Sequence, residues 1–130
     1  MNRNNTKNQK LFIVDDELFV RQVYEHGFRM MGYDVDTAID GHHAIWKLDK
    51  MDHLPTLILL DIEMPRSLGF DVLRYIQHND RYKNVKVVML TNISDEEVRD
   101  KTRKLGAIGY IVKGDQEPRE VVQDIHKFLS

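Results

Sequence analysis

The stretch Thr56-Leu-Ile-Leu-Leu-Asp-Ile-Glu-Met-Pro65 decides the fold. Four apolar residues, Leu57 to Leu60, run straight into Asp61, with Pro55 before the run and Pro65 after it. A short continuous apolar run between turn signals is the pattern of a strand buried on both faces. A carboxylate where such a strand ends stands where open parallel sheets bind ligands, beyond the carboxyl ends of the strands. Taken alone, Asp61 has a second reading, as a cap or turn residue.

Working outward, the same pattern recurs. Lys10-Leu-Phe-Ile-Val14 runs into Asp15-Asp16-Glu17, Val85–Leu90 into Thr91-Asn92, and Tyr110-Ile-Val112 into Lys113. Asp34–Ala38 alternates and reads as a short strand. Between these lie helical spacings. Val20, Val23, Tyr24, Gly27 and Met31 mark the first, with Gly32 as its stop. Asp40 caps a second helix through Met51, with Ala44, Ile45 and Leu48 inward. Gly69–Gln77 forms a third, with Phe70, Leu73 and either Ile76 or Gln77 on one stripe, broken by His78-Asn-Asp80. Ser94-Asp95-Glu96-Glu97 reads as a capping box with Ser94 and Glu97 in the reciprocal roles. The helix it opens is mostly charged, and only Val98, Thr102 and Leu105 form an inner stripe. Pro118 suits the first position of a last helix, with Val121, Val122, Ile125, Phe128 and Leu129 as its apolar face.

Five strand–helix units in alternation predict an α/β fold, a doubly wound parallel sheet with helices on both faces and right-handed crossovers. The chain is too short for a closed eight-fold barrel. Its 130 residues suit one domain over 10–130, preceded by a polar, Asn-rich tail over 1–9 that is expected to be disordered. A formal charge of −2 leaves no electrostatic footprint for nucleic acid. No apolar run approaches membrane-spanning length, and the start lacks a signal-peptide stretch. The absence of cysteine removes disulfide and thiolate chemistry and fits a cytoplasmic location.

In a parallel sheet all strand C-termini share one edge. Asp15-Asp16, Asp61, Thr91 and Lys113 all fall there, and no comparable set falls on the other side. Three crowded carboxylates repel one another and favour a cation. They are hard oxygen ligands, which suits Mg2+, held by few carboxylates together with a phosphate. A carboxylate is itself a nucleophile toward phosphorus, giving an aspartyl phosphate. The metal and Lys113 would offset charge on the phosphoryl oxygens, and the Thr91 hydroxyl could donate to one of them. The set reads as a phosphoryl-accepting site.

At this point the chain resembles a receiver domain of the two-component response-regulator family, of the single-domain chemotaxis-regulator kind. The resemblance covers about Lys10 to Leu129. It rests on Phe12-Ile-Val-Asp-Asp-Glu17, Ala38-Ile-Asp-Gly41 through Ala44, Leu60-Asp-Ile-Glu-Met-Pro65 with Gly69, Leu90-Thr91, and Gly106-Ala107 through Tyr110-Ile-Val-Lys113. It implies a flavodoxin-like strand order 2-1-3-4-5. Asp61 resembles the phosphoacceptor, and Asp15 and Asp16 the acidic pair that holds Mg2+. Glu63 sits where a backbone carbonyl completes the metal site. Thr91 resembles the switch hydroxyl, Lys113 the phosphate-binding lysine, and Tyr110 the switch aromatic that turns inward. The implied partners are a histidine kinase or histidine phosphotransfer protein, and a downstream output protein or an output domain absent from this chain. Direct contact with nucleic acid or membrane is not implied, and the state is a monomer or a phosphorylation-dependent dimer. The implied output surface is the fourth helix, fifth strand and fifth helix.

Two features depart from the family pattern. Gly114 stands where the family usually has Pro, so the Lys113–Gly114 bond is expected to be trans or the loop looser. Asn92 is larger than the usual residue beside the hydroxyl and would narrow access. The Glu63 side chain, two residues past the acceptor, either acts on the attacking water or metal or points to solvent. Leu18 and Phe19 fall off the first helix's inner stripe and suggest a surface for the donor protein. An aspartate-nucleophile phosphohydrolase is the alternative function, with Glu63 as a weak mimic of its acid. A nucleotide or flavin module is disfavoured, because acids stand where a phosphate-cradling glycine loop would be.

Overall fold

A computed structural model describes residues 9–64 and 69–130; Pro65 and residues 1–8 of the expected tail lie outside them. The elements run β1 (Lys10–Val14), α1 (Leu18–Met30), β2 (Asp34–Ala38), α2 (Gly41–Lys50), β3 (Leu57–Leu60) and α3 (Gly69–Gln77). A single 3-10 turn at Asp80–Tyr82 follows, then β4 (Lys86–Thr91), α4 (Glu96–Lys104), β5 (Gly109–Val112) and α5 (Pro118–Leu129). All strand pairings are parallel and the order is β2-β1-β3-β4-β5, the expected doubly wound arrangement.

The apolar runs are continuous because the sheet is covered twice. Successive residues of a strand point to opposite faces. Phe12, Val14, Ile58, Leu60, Val87 and Met89 meet Ala44 and Leu48 of α2 and Val72, Leu73 and Ile76 of α3. Leu11, Ile13, Leu57, Leu59, Val88 and Leu90 meet Tyr24 and Phe28 of α1 and Val121, Val122 and Ile125 of α5. Every residue of β3 is buried, so the chain's most apolar run lies at the centre of the sheet.

Several local expectations change. The N-cap of α4 is Asp95, whose carboxylate accepts from the N–H groups of Glu97 and Val98; Ser94 does not cap it. The capping box belongs instead to α5, between Glu117 and Glu120, with Pro118 at the first position as expected. Asp40 does cap α2, accepting from the His43 N–H at 2.8 Å. The buried stripe of α1 is Tyr24 and Phe28, while Met31 lies at its C-cap. Ile76, not Gln77, completes the inner stripe of α3. Phe128 is 58% exposed rather than part of the α5 face. Leu18 and Phe19 are exposed, at 59% and 74%, as their place off the stripe suggested.

Candidate functional site

The sheet ladder sets the site. The Asp15 N–H donates to the Ala38 carbonyl at 3.1 Å, and the Asp61 N–H to the Val14 carbonyl at 3.0 Å. The Lys113 N–H donates to the Thr91 carbonyl at 2.7 Å. Asp15, Asp61 and Lys113, each one residue past its strand, are therefore held by the neighbouring strand, and with Thr91 at the end of β4 they come to one edge of the sheet. Asp15, Asp61 and Thr91 are buried, which is uncommon for such residues without partners.

Lys113 is at the centre. Its Nζ lies 2.6 Å from Asp15 Oδ2, 3.1 Å from Glu17 Oε1 and 3.5 Å from Asp61 Oδ2. The other Asp15 oxygen, Oδ1, accepts the Glu17 N–H at 2.9 Å, and Asp61 Oδ1 accepts the Glu63 N–H at 3.3 Å. Asp15 Oδ2 is buried and has Lys113 as its one close partner, an ion pair at 2.6 Å. One oxygen each from Asp15, Asp16 and Asp61 lies within 4.8 Å of the others, so these three residues are able to hold a metal ion. The donor set is all carboxylate, with no cysteine or histidine, and suits a hard cation.

The electrostatics follow from this crowding. Burial pushes the Asp61 carboxyl up to about 6; Lys113 opposes the shift and the Asp15 charge adds to it. Burial also raises Asp15, against the Lys113 contact. Burial alone would lower Lys113, but the Asp15 contact and the charges of Asp61 and Asp15 outweigh it and hold the ammonium above its ordinary value. Lys113 is thus a fixed cation, while Asp61 keeps its proton to a higher pH than an ordinary carboxylate does.

Thr91 and Tyr110 are linked through one residue. The Ile93 N–H donates to Thr91 Oγ1 at 3.3 Å, and Tyr110 Oη donates to the Ile93 carbonyl at 2.6 Å. Glu63 has an exposed side chain and meets Asp61 through its backbone N–H. Asn92 is exposed at the rim. Two contacts escape sequence reading: the Glu17 carboxylate on Lys113, and Arg21, whose Nη1 donates to the Asp15 carbonyl at 2.8 Å. Their only signal was position, a third acid after the pair and a cation one helical turn further on.

The described residues contain no cis peptide bond, so Lys113–Gly114 is trans. Gly114 has φ +94, and the Asp115 N–H closes on the Val112 carbonyl at 3.1 Å. A turn with positive φ at its third residue calls for glycine there. Proline is fixed near −65° and cannot adopt this form. Gly114→Pro, although it installs the family's usual residue, is therefore expected to cost ~2 kcal/mol of stability. Urea denaturation checks this; unchanged stability would show that the loop has another form open to it.

With this geometry in view, residues 11–126 match the response regulator receiver domain. The chain belongs to that family. It is 37% identical over 105 residues to chemotaxis protein CheY of Treponema pallidum, covering 80% of this chain and 72% of that one. It is 33% identical over 121 residues to the probable transcriptional regulator ycf27 of Cyanophora paradoxa, covering 93% of this chain. The receiver spans about half, 48%, of that relative's length. Among solved structures, the CheX-CheY-BeF3-Mg+2 complex from Borrelia burgdorferi superposes with a TM-score of 0.83 at 28% identity, covering 94% of this chain and 90% of that one. Receiver domains act in two-component systems as phosphorylation-dependent signalling switches rather than as conventional enzymes. Among the described residues, no helix is long and apolar enough to cross a membrane.

Proposed function

We infer that this receiver accepts a phosphoryl group on Asp61 from a phosphohistidine donor, a histidine kinase or a histidine phosphotransfer protein. The observation that carries the reading is the buried Asp61 carboxylate, which shares Lys113 with Asp15 and lies within one metal-sized cluster with Asp15 and Asp16. An Asp61 oxygen attacks phosphorus, the phosphorus–nitrogen bond to the donor breaks, and the imidazole leaves with the electron pair. The product is a mixed anhydride on Asp61. Mg2+, held by Asp15, Asp16, Asp61 and the Glu63 carbonyl, would neutralise charge on the transferring oxygens. Lys113 exchanges its carboxylate contacts for a phosphoryl oxygen, and Thr91 donates its hydroxyl to another. Because Thr91 and Tyr110 meet at Ile93, movement of Thr91 bears on Tyr110 and on the α4–β5–α5 surface that an output partner reads.

Residues 10–130 form the single receiver unit, in the cytoplasm, with slow hydrolysis of its own anhydride. Leu18 and Phe19, exposed beside Asp16, face the donor. The test is incubation with acetyl phosphate and Mg2+. The wild type is expected to take up one phosphoryl group, seen as a mass gain that decays, while Asp61→Asn takes up none. No incorporation in the wild type would overturn the reading, and steady turnover of small phosphoesters would replace it with the phosphohydrolase.

A further inference from the structure

α4 is weakly seated. Its one buried residue is Thr102, with Val98 and the C-cap Leu105 only partly buried. Two cations on it contact aromatic faces on neighbouring elements. The Arg99 guanidinium lies 4.7 Å from the ring centre of Tyr110 in β5, and the Lys101 ammonium 4.1 Å from that of Phe70 in α3. A cation within about 6 Å of a ring face is attracted by its quadrupole, and an arginine plane also covers the ring. Among the described residues Arg99 has no ion pair that would explain its placement otherwise.

Tyr110 is consequently fixed at both ends. Its hydroxyl is tied to the Ile93 carbonyl at 2.6 Å, its ring packs against the core on the α2–α3 side, and Arg99 covers its outer face. A continuous set of contacts then runs from the candidate site to the helix: Thr91 Oγ1 to the Ile93 N–H, the Ile93 carbonyl to Tyr110 Oη, and the Tyr110 ring to Arg99. The ring cannot swing out without losing both its hydrogen bond and its cation.

We propose that Arg99 is a positioning residue that latches Tyr110 inward and so sets how readily this receiver enters its phosphorylated conformation. The proposal rests on the switch reading above. Arg99 touches no reacting atom; it acts through Tyr110. The Lys101–Phe70 contact anchors the same helix without touching the switch aromatic, and it serves as the internal comparison.

The test uses beryllofluoride, which forms an acyl-phosphate-like adduct with a carboxylate, titrated at saturating Mg2+. Arg99→Met keeps length and removes the cation. It is expected to weaken beryllofluoride binding roughly two- to fivefold, the effect of one exposed cation–ring contact. It is also expected to shift the fluorine NMR signal of Tyr110 in 3-fluorotyrosine-labelled protein, assigned by its disappearance in Tyr110→Phe. Arg99→Lys restores both in part, since Lys101 shows that an ammonium suffices on Phe70. In a Tyr110→Leu background, Arg99→Met has no further effect on binding. The proposal is overturned if Arg99→Met leaves binding and the fluorine signal unchanged. It is equally overturned if its effect persists without the Tyr110 ring, or if Lys101→Met acts on binding and signal to the same degree. If the wild type binds no beryllofluoride, the switch reading fails and the Arg99 proposal falls with it. The free protein's fluorine signal then shows whether the Arg99–Tyr110 contact itself survives.

Discussion

In metal-free buffer at pH 8, Asp61→Asn is expected to be more stable than the wild type by on the order of 2–3 kcal/mol. The folded protein raises the Asp61 carboxyl from 3.8 to about 6, chiefly by burying it. A group whose folded pKa is raised stabilises the fold fully below its unfolded value and loses that contribution as pH rises through the folded value. The wild type therefore weakens between about pH 4 and pH 7, as Asp61 is forced to ionise in its pocket. Asn carries no charge and escapes this. It also relieves Asp15 of a neighbouring negative charge, while giving up the 3.5 Å approach to Lys113, which trims the gain. Urea denaturation with a chelator present, from pH 4 to pH 8, gives the difference curve: near zero at pH 4 and rising through pH 6. Mg2+ should close the gap by binding the wild type more tightly than the variant, since a ligand confined to the folded state adds RT ln(1 + [L]/Kd). Proton and metal compete for the same oxygen, so Mg2+ affinity should fall as pH drops below about 6. A difference that does not vary with pH, or a variant weaker at pH 8, would mean that Asp61 is not held in a desolvated pocket.

The parts of this site that could be read from sequence are the ones that strand position dictates. A continuous apolar run has only one comfortable place, between two covered faces, so its last residue must emerge at the ligand edge. This made Asp15, Asp61, Thr91 and Lys113 legible without knowledge of any contact. The contacts among them were not. Lys113 and Glu17 meet across 96 residues of sequence, and charge carries no register that would pair these two among the chain's many ions. The cap of α4 was ambiguous for a different reason. Ser94 and Asp95 are both good caps one residue apart, and the first helical bond, from the Arg99 N–H to the Asp95 carbonyl, settles the frame. Glu117 is a poor cap by type, so its box with Glu120 gave little warning. Arg99 fell off the inner stripe of a mostly charged helix and gave no sign of its partner, because the ring it covers belongs to the next strand and helical spacing is blind to partners outside the helix.

Gly69 is the position where a substitution should do most damage. An added methyl at Gly69 would sit 2.2 Å from the Asp61 carbonyl oxygen, 2.8 Å from Ile62 Cα and 3.0 Å from the Asp61 carbonyl carbon. All three are backbone atoms, and none can turn aside. The Gly69 N–H is meanwhile committed to the Ile62 carbonyl at 2.8 Å, which draws the start of α3 onto the end of β3. Gly69→Ala must therefore push α3 away or displace the segment that carries Asp61. Overpacking against a rigid neighbour typically costs 1–3 kcal/mol and can exceed this, and we expect ~3 kcal/mol here, on the order of 10 °C in Tm. Gly27→Ala supplies the contrast. Its methyl would meet side-chain atoms of Val122 alone, the nearest Cγ2 at 2.9 Å; this valine is buried and must shift by a few tenths of an ångström, a cost that alanine's preference for the helix, up to ~1 kcal/mol, offsets in part. That variant should stay within about 1 kcal/mol of the wild type. The two readouts separate packing from function: Gly69→Ala should lose beryllofluoride binding even where it remains folded, because the backbone it displaces is that of the acceptor itself. Full binding in a folded Gly69→Ala protein would show that α3 retreats without moving Asp61, and that the close approach serves packing alone.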